Sequence, residues 1–291
     1  MASGSRRRGY PRVASPAVLT ATLLALAAAV LHAGWNLSVK QSGDRYVALW
    51  GQFTIAGAIG LAVLLAVGGL PAEGWKWAAM SGCIHLPYCW FLARAYDQGD
   101  FSLVYPMARG GGAMLAAIGG IWLLDDHLSA LGVAAIMVVG LGLFLLGGRA
   151  RGPEMWAAGA VALTIGAYSV TDAKGIRSTD TPLYVLASFA ATGASTTIFG
   201  LASGRGTAMR LAMRVDWRRF SVMGLASGVT YGMVQMAFQR APVGYVTALR
   251  ESSVLIAAFA GSRMLGEEGG RRRIAASGVV VGGLILLVAA R

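Results

Sequence analysis

Residues 109–146 and 250–287 are two copies of one segment. Laid over each other without a gap, at a constant offset of 141, they match at 13 of 38 positions. Many matches are Ala, Leu or Val, which apolar helices share by composition. The shared Arg109/Arg250, the glycines Gly120/Gly261 and Gly142/Gly283, and the missing gap carry the weight. Each copy is two apolar stretches joined by an acidic turn, Asp125-Asp126 in one and Glu267-Glu268 in the other. Repeats of this size in a very apolar chain point to a membrane protein whose ligand site lies between two related halves.

The chain is 56% hydrophobic and 13% charged over 291 residues, far below the roughly 25% charged of a soluble domain. Its net charge of +12 lies in short segments between apolar stretches, where topology places Lys and Arg. Nucleic acid is therefore not expected as a partner. Cys83 and Cys89 fall six apart in one expected helix, on different sides, and predict no disulfide.

A helix needs about 20 apolar residues to cross a bilayer. Ten such segments can be read: 16–39, 46–67, 75–96, 102–124, 129–147, 156–174, 182–202, 220–239, 244–265 and 272–290. The expected fold is an all-α integral membrane protein with ten transmembrane helices in two inverted five-helix repeats. Residues 1–14 form a basic tail, 15–147 the first repeat and 156–290 the second. A unit of five crossings forces its second copy to be inverted. The longest expected loop is 203–219, with Arg205, Arg210, Arg214, Arg218 and Arg219. Fourteen basic residues fall on the loop side opposite the termini and nine on the terminus side, so the charge rule leans toward termini outside.

Polar residues inside the spans are the candidate site. His32, Trp35, Asn36 and Lys40 share one helical face in span 1. His85, Tyr88 and Tyr96 do so in span 3, and Tyr231, Gln235 and Gln239 in span 8. Span 6 carries Tyr168 and Asp172, and span 4 carries Tyr105 one turn before Arg109. Such groups either line a cavity or bond a neighbouring helix. Lys40 sits at a span end, where a lysine snorkels. A mid-helix Arg costs about 2.5–3.5 kcal/mol to insert, so Arg109 and Arg250 answer to a substrate anion or to a buried carboxylate. Glu251 adjoins Arg250, whereas Gly110 adjoins Arg109. This contrast predicts Arg109 as the freer cation, and Glu251 and Asp172 as candidate proton carriers. Asp125-Asp126-His127 resembles a catalytic cluster, but its repeat counterpart is Gly266-Glu267-Glu268, which predicts an acidic turn. Three scattered histidines and the lack of an HExxH, a GxSxG or a phosphate loop argue against an enzyme.

The chain resembles the drug/metabolite transporter superfamily, in particular ten-span proteins of two EamA-type domains. The resemblance rests on His32-Ala33-Gly34-Trp35-Asn36 with Lys40, on Ala95-Tyr96 through Gly99-Asp100-Phe101-Ser102-Leu103-Val104-Tyr105-Pro106 and Ala108-Arg109-Gly110, and on Ala248-Leu249-Arg250-Glu251-Ser252-Ser253 with Leu265-Gly266-Glu267. It implies an alternating-access carrier without a nucleotide or other cofactor. Its cavity would be lined by spans 1, 3, 4, 6, 8 and 9. Spans 5 and 10 would stand apart and be available for a homodimer, with Gly278 and Gly282 as a GxxxG. Relatives keep both termini in the cytoplasm, against the charge count here. The expected function is export of a small polar or amphipathic metabolite across the cell membrane. His32, Trp35, Asn36, His85, Tyr88, Tyr105, Arg109, Tyr168, Tyr231, Gln235 and Arg250 would bind it. A cationic drug/proton antiporter, a non-transporting membrane scaffold and an intramembrane enzyme are the rival readings.

Overall fold

The computed structural model describes residues 16–98, 101–147, 152–256 and 270–290. Expectations for the Glu267-Glu268 turn, Gly261 and Leu265-Gly266 lie outside those residues. The described chain is helical, in the order α1 (Pro16–Lys40), α2 (Arg45–Ala66), α3 (Ala72–Gln98), α4 (Phe101–Leu124), α5 (Ala130–Gly147), α6 (Gly152–Thr179), α7 (Tyr184–Ala202), α8 (Gly206–Phe238), α9 (Val243–Arg250) and α10 (Gly270–Ala289). After a turn at Glu251 the chain is helical again over 252–256.

Polarity runs inside out. Leu65, Trp122, Ile198, Val222 and Ile285 stand exposed on the outer surface, while Asn36, Gln52, His85, Arg109, Asp172, Gln235, Arg250 and Glu251 are buried. A chain folded in water would reverse this; hydrocarbon around the bundle accounts for it. Among the described residues, four helical segments are long and apolar enough to cross a membrane: Pro16–Lys40, Arg45–Ala66, Val104–Leu124 and Tyr184–Ala202. Helices α3, α6 and α8 are less apolar because they carry buried polar side chains and also charged residues on their exposed ends. Ala130–Leu145 and Ala275–Ala289 are apolar but shorter.

The packing repeats itself when each helix is exchanged for the one five places on. Helix α4 lies on α6 as α9 lies on α1; α3 lies on α6 as α8 lies on α1; α3 meets α7 as α8 meets α2. Two pairs map onto themselves, α2 with α7 and α5 with α10. Glycines make both crossings close. A Cβ on Gly57 would sit 2.7 Å from the Phe189 carbonyl oxygen, and one on Gly193 would sit 2.8 Å from that of Phe53. On the other pair, Gly142 faces Val280 and Gly283 faces Val139. In each pair the contacts run in opposite chain directions, so the two helices are antiparallel. Small residues at such contacts let backbones approach, the usual device of membrane helices. Trp50 Nε1 donates to Thr197 Oγ1 (2.8 Å) and Tyr46 OH to the Thr196 carbonyl (2.7 Å), which fixes the α2–α7 crossing further.

The expected loop at 203–219 is a correction. Residues 206–219 form the first part of α8. No Pro or Gly interrupts Gly206 to Phe220, and Arg210, Arg214 and Arg218 recur one turn apart on the exposed side. Arginine is a good helix former, so basic residues that read as a loop extend a helix instead.

The acidic turn has a structural task. Asp125 adopts a left-handed backbone (φ 54°) at the end of α4. Asp126 then accepts from the Val243 N–H at the start of α9 (2.7 Å) and from Arg177 Nη1 (2.8 Å). Arg177 also donates to the carbonyls of Phe238 (2.8 Å) and Ala241 (3.2 Å). One ion pair thus ties the α4–α5 turn to the ends of α6 and α8. At the opposite end Lys40 donates to the Tyr96 carbonyl (2.9 Å). This is the same bond in the first half: the last basic residue of the first helix caps the third.

Candidate functional site

Helices α8, α1, α9, α4, α6 and α3 form a ring, closed on the α3/α8 side by the crossed pair α2–α7. Inside the ring lies a narrow cavity with room for only a water or two. Its wall is His32, Trp35, His85, Tyr88, Tyr168, Tyr231 and Arg250, completed by Phe53, Phe189, Ser227 and Thr230. The first seven were expected from the polar stripes; the last four were not.

Aromatic rings build most of this wall. His85 stacks on Tyr168 with centroids 4.2 Å apart, and Tyr88 and Tyr231 stand edge-on to the same rings. His32 meets Trp35 edge-on at 4.8 Å. His85 is oriented by Ser81, one turn earlier, through its Nδ1 (3.1 Å to Oγ, 2.9 Å to the carbonyl). Phe53 and Phe189 meet at 5.4 Å where α2 crosses α7.

The other expected residues sit behind the wall. Asn36 accepts from Tyr96 OH (3.1 Å) and donates to the His32 carbonyl (2.9 Å). Gln235 reaches Ser188 Oγ at 3.4 Å. Tyr105 lies 3.4 Å from Ser253 Oγ. Asp172 accepts from Tyr184 OH (2.9 Å) and Tyr231 OH (2.5 Å). Helix α4, expected to line the cavity, contributes no residue to this wall; its Arg109 and Tyr105 form the layer behind it.

The pairing of the two arginines differs from the expectation that Arg109 is the freer cation. Arg109 forks onto Glu251, Nε to Oε2 at 3.1 Å and Nη2 to Oε1 at 2.7 Å, with both side chains buried. Glu251 therefore pairs with the arginine of the other half and not with its own neighbour. The reason is geometric. Adjacent helical residues point about 100° apart, and the helix is broken at Glu251, whose N–H bonds to the Ala248 carbonyl (3.0 Å) three residues back. That turn carries the carboxylate toward α4. Arg250 is the arginine at the cavity, 1% exposed. Its guanidinium lies 5.7 Å from the centre of the Tyr231 ring, and its Nε and Nη1 have no hydrogen-bond partner among the described residues. His32 Nδ1 and Trp35 Nε1, in the same wall, are also unpartnered there. The site thus offers two guanidinium nitrogens without a hydrogen-bond partner among the described residues, an imidazole nitrogen and an indole N–H to one small aromatic chamber.

Residues 153–289 match the family described as the EamA-like transporter family. No curated protein matches the chain. One solved structure, described only as "Crystal structure of protein", aligns with 92% of this chain and 96% of its own length. Its TM-score is 0.70 at 19% identity, so that likeness concerns the fold alone.

Proposed function

We propose, from the premise that residues 153–289 belong to the EamA-like transporter family of the drug/metabolite transporter superfamily, that the chain is an alternating-access secondary transporter for a small organic anion. One observation carries the choice of anion: Arg250 is wholly buried at the cavity with two guanidinium nitrogens unpartnered among the described residues. A buried donor left without a partner is costly, the more so on a charged group. A carboxylate or phosphate in the chamber supplies the missing partner through charge-assisted hydrogen bonds. His32, Trp35, His85, Tyr88, Tyr168 and Tyr231 contact the rest of the ligand, and Asn36, Tyr105, Arg109 and Gln235 form the polar layer behind them.

The repeat supports the two-sided cycle. A packing scheme that survives exchange of the halves, with antiparallel partners across it, is what a pseudo-two-fold axis in the membrane plane gives. On that reading the chain is ten spans in two inverted halves, 15–147 and 156–290. The Arg177–Asp126 tie holds one end of the molecule and the Lys40–Tyr96 bond lies at the other. Export across the cell membrane is the direction we favour. Proton coupling falls to Asp172 before Glu251. Asp172 is held by the hydroxyls of Tyr184, Tyr231 and Ser81 and faces His85, so taking up a proton there breaks no ion pair seen among the described residues. Protonating Glu251 dissolves the fork to Arg109. A cationic-drug antiporter fits less well, since both carboxylates already have partners and the unpaired group is a cation. A Cβ on Gly278 or Gly282 would meet nothing within 4 Å among the described residues, so a homodimer contact on α10 is open to them.

The test begins with metabolites compared between cells with and without the gene. Counterflow of the accumulated anion then follows in proteoliposomes. Wild type should exchange it and Arg250→Gln should not, with the variant normally folded. Equal exchange by Arg250→Gln removes the anion reading.

A further inference from the structure

A second concavity lies outside the ring, between α2, α7 and α8, with an empty volume of about 790 Å³. Its wall is apolar throughout and includes Ile59, Val185, Leu225 and Val229. Phe189 belongs to this wall and to that of the central cavity. Phe189 therefore stands between the anion chamber and a groove that opens on the apolar surface, beside two of the most apolar spans.

The groove exists because the two halves differ here. The register that pairs Tyr96 with Phe238 also pairs His85 with Ser227 and Tyr88 with Thr230, all four in the cavity wall. Continued along α8, it sets Gly228 against Leu86 and Gly232 against Trp90. In the first half, Trp90 fills the space by packing on Tyr46 (6.4 Å) and Phe199 (5.6 Å). In the second half, Pro182 takes the place of Tyr46, in the register that pairs Gly57 with Gly193. A Cβ on Gly228 would meet nothing within 4 Å, and one on Gly232 only Val185 at 4.0 Å. The concavity at Tyr46 and Trp90 is lined by the charged Asp44, Arg94, Asp97 and Arg205 and shares no residue with the ligand chamber, whereas the α2/α7/α8 groove is apolar and adjoins it.

We propose that the cargo is a single-chain amphipathic anion, its head on Arg250 and its hydrocarbon tail passing Phe189 into the α2/α7/α8 groove. This rests on the anion reading given above and narrows its substrate class. The groove offers no hydrogen-bonding side chain, so hydrocarbon is the chemistry it complements. Its mouth lies in the bilayer, where such molecules concentrate. Phe189 is the positioning residue at the junction: its ring sits 6.3 Å from that of Tyr231, which in turn lies beside Arg250.

The experiment uses the full chain in lipid nanodiscs and a series of acetate, butyrate, octanoate and dodecanoate, read as equilibrium binding. Partition into lipid is common to every variant, so comparison of variants isolates the protein. Wild type should gain about threefold to fourfold in affinity per added methylene beyond butyrate. Gly228→Leu puts a side chain into the groove at a position where a Cβ has open space among the described residues, and should flatten that gain while leaving butyrate unchanged. Gly232→Leu is the second filling variant, with the same expectation. Arg250→Gln should weaken every member by a similar factor. A wild-type gain retained in both filling variants overturns the proposal. So does octanol competing as well as octanoate, with Arg250→Gln without effect, which makes the groove a seat for lipid chains only. Binding is read without flux, so a failure to transport strikes the carrier reading and leaves the head-and-tail site to stand or fall by itself.

Discussion

Glu251 is taken by the arginine farther from it in sequence, and that choice sets the charge of the core. The fork to Arg109 leaves Arg250 as the group a ligand must satisfy. Glu251→Gln strips the carboxylate from between two buried guanidiniums and should lower stability by about 3–5 kcal/mol, read as an earlier thermal midpoint in detergent. Arg109→Gln with Glu251→Gln should recover part of that loss. Strictly additive losses contradict an energetic pair. Asp172→Asn keeps the hydrogen bonds to Tyr184 and Tyr231 within reach but holds no exchangeable charge. The expected result is substrate exchange that persists and no longer responds to a pH gradient across proteoliposomes. An unchanged response assigns the proton elsewhere. Half of this was legible in sequence. Spacing alone put His32, Trp35 and Asn36 on one face, and the repeat put Arg109 and Arg250 in corresponding places. Partner choice was not, because it depends on a helix break at Glu251 and on which helices face each other across the ring.

At the scale of the element, the close crossings of α2 with α7 and α5 with α10 depend on glycine at particular positions. A Cβ at Gly57 runs into the Phe189 carbonyl oxygen, which is backbone and does not yield easily. Gly57→Ala should therefore destabilise by about 1–3 kcal/mol. Gly228→Ala, in open space on a helix, should be neutral or slightly stabilising. Equal thermal shifts for the two refute the packing assigned to them. These crossings also explain which wall residues sequence reading missed. Phe53 and Phe189 sit in two of the most apolar spans, where a phenylalanine gives no signal of a cavity. Ser227 and Thr230 are one turn and one residue before Tyr231, yet small hydroxyls in membrane helices commonly bond their own backbone, as Ser227 does here to the Gly224 carbonyl. The signal that finds them is the register of the halves, His85 with Ser227 and Tyr88 with Thr230. The long α8 shows the opposite error, where charge was read as a loop although nothing in 206–219 breaks a helix.

For the whole molecule, the repeat seen in 109–146 and 250–287 covers the last two helices of each half, and the contacts extend the relation to the other helices. Sequence similarity fades in the earlier helices because their shared property is shape at the crossings, which several small residues satisfy. The central claim is that the chamber around Arg250 meets each side of the membrane in turn. The direct measurement places one cysteine at Ser227, in the cavity wall, after Cys83 and Cys89 are replaced by serine. A membrane-impermeant thiol reagent is then applied to right-side-out and to inverted vesicles. The account predicts labelling from both sides, slowed from both by the transported anion. Labelling confined to one side, with and without the anion and under either direction of the pH gradient, would contradict it.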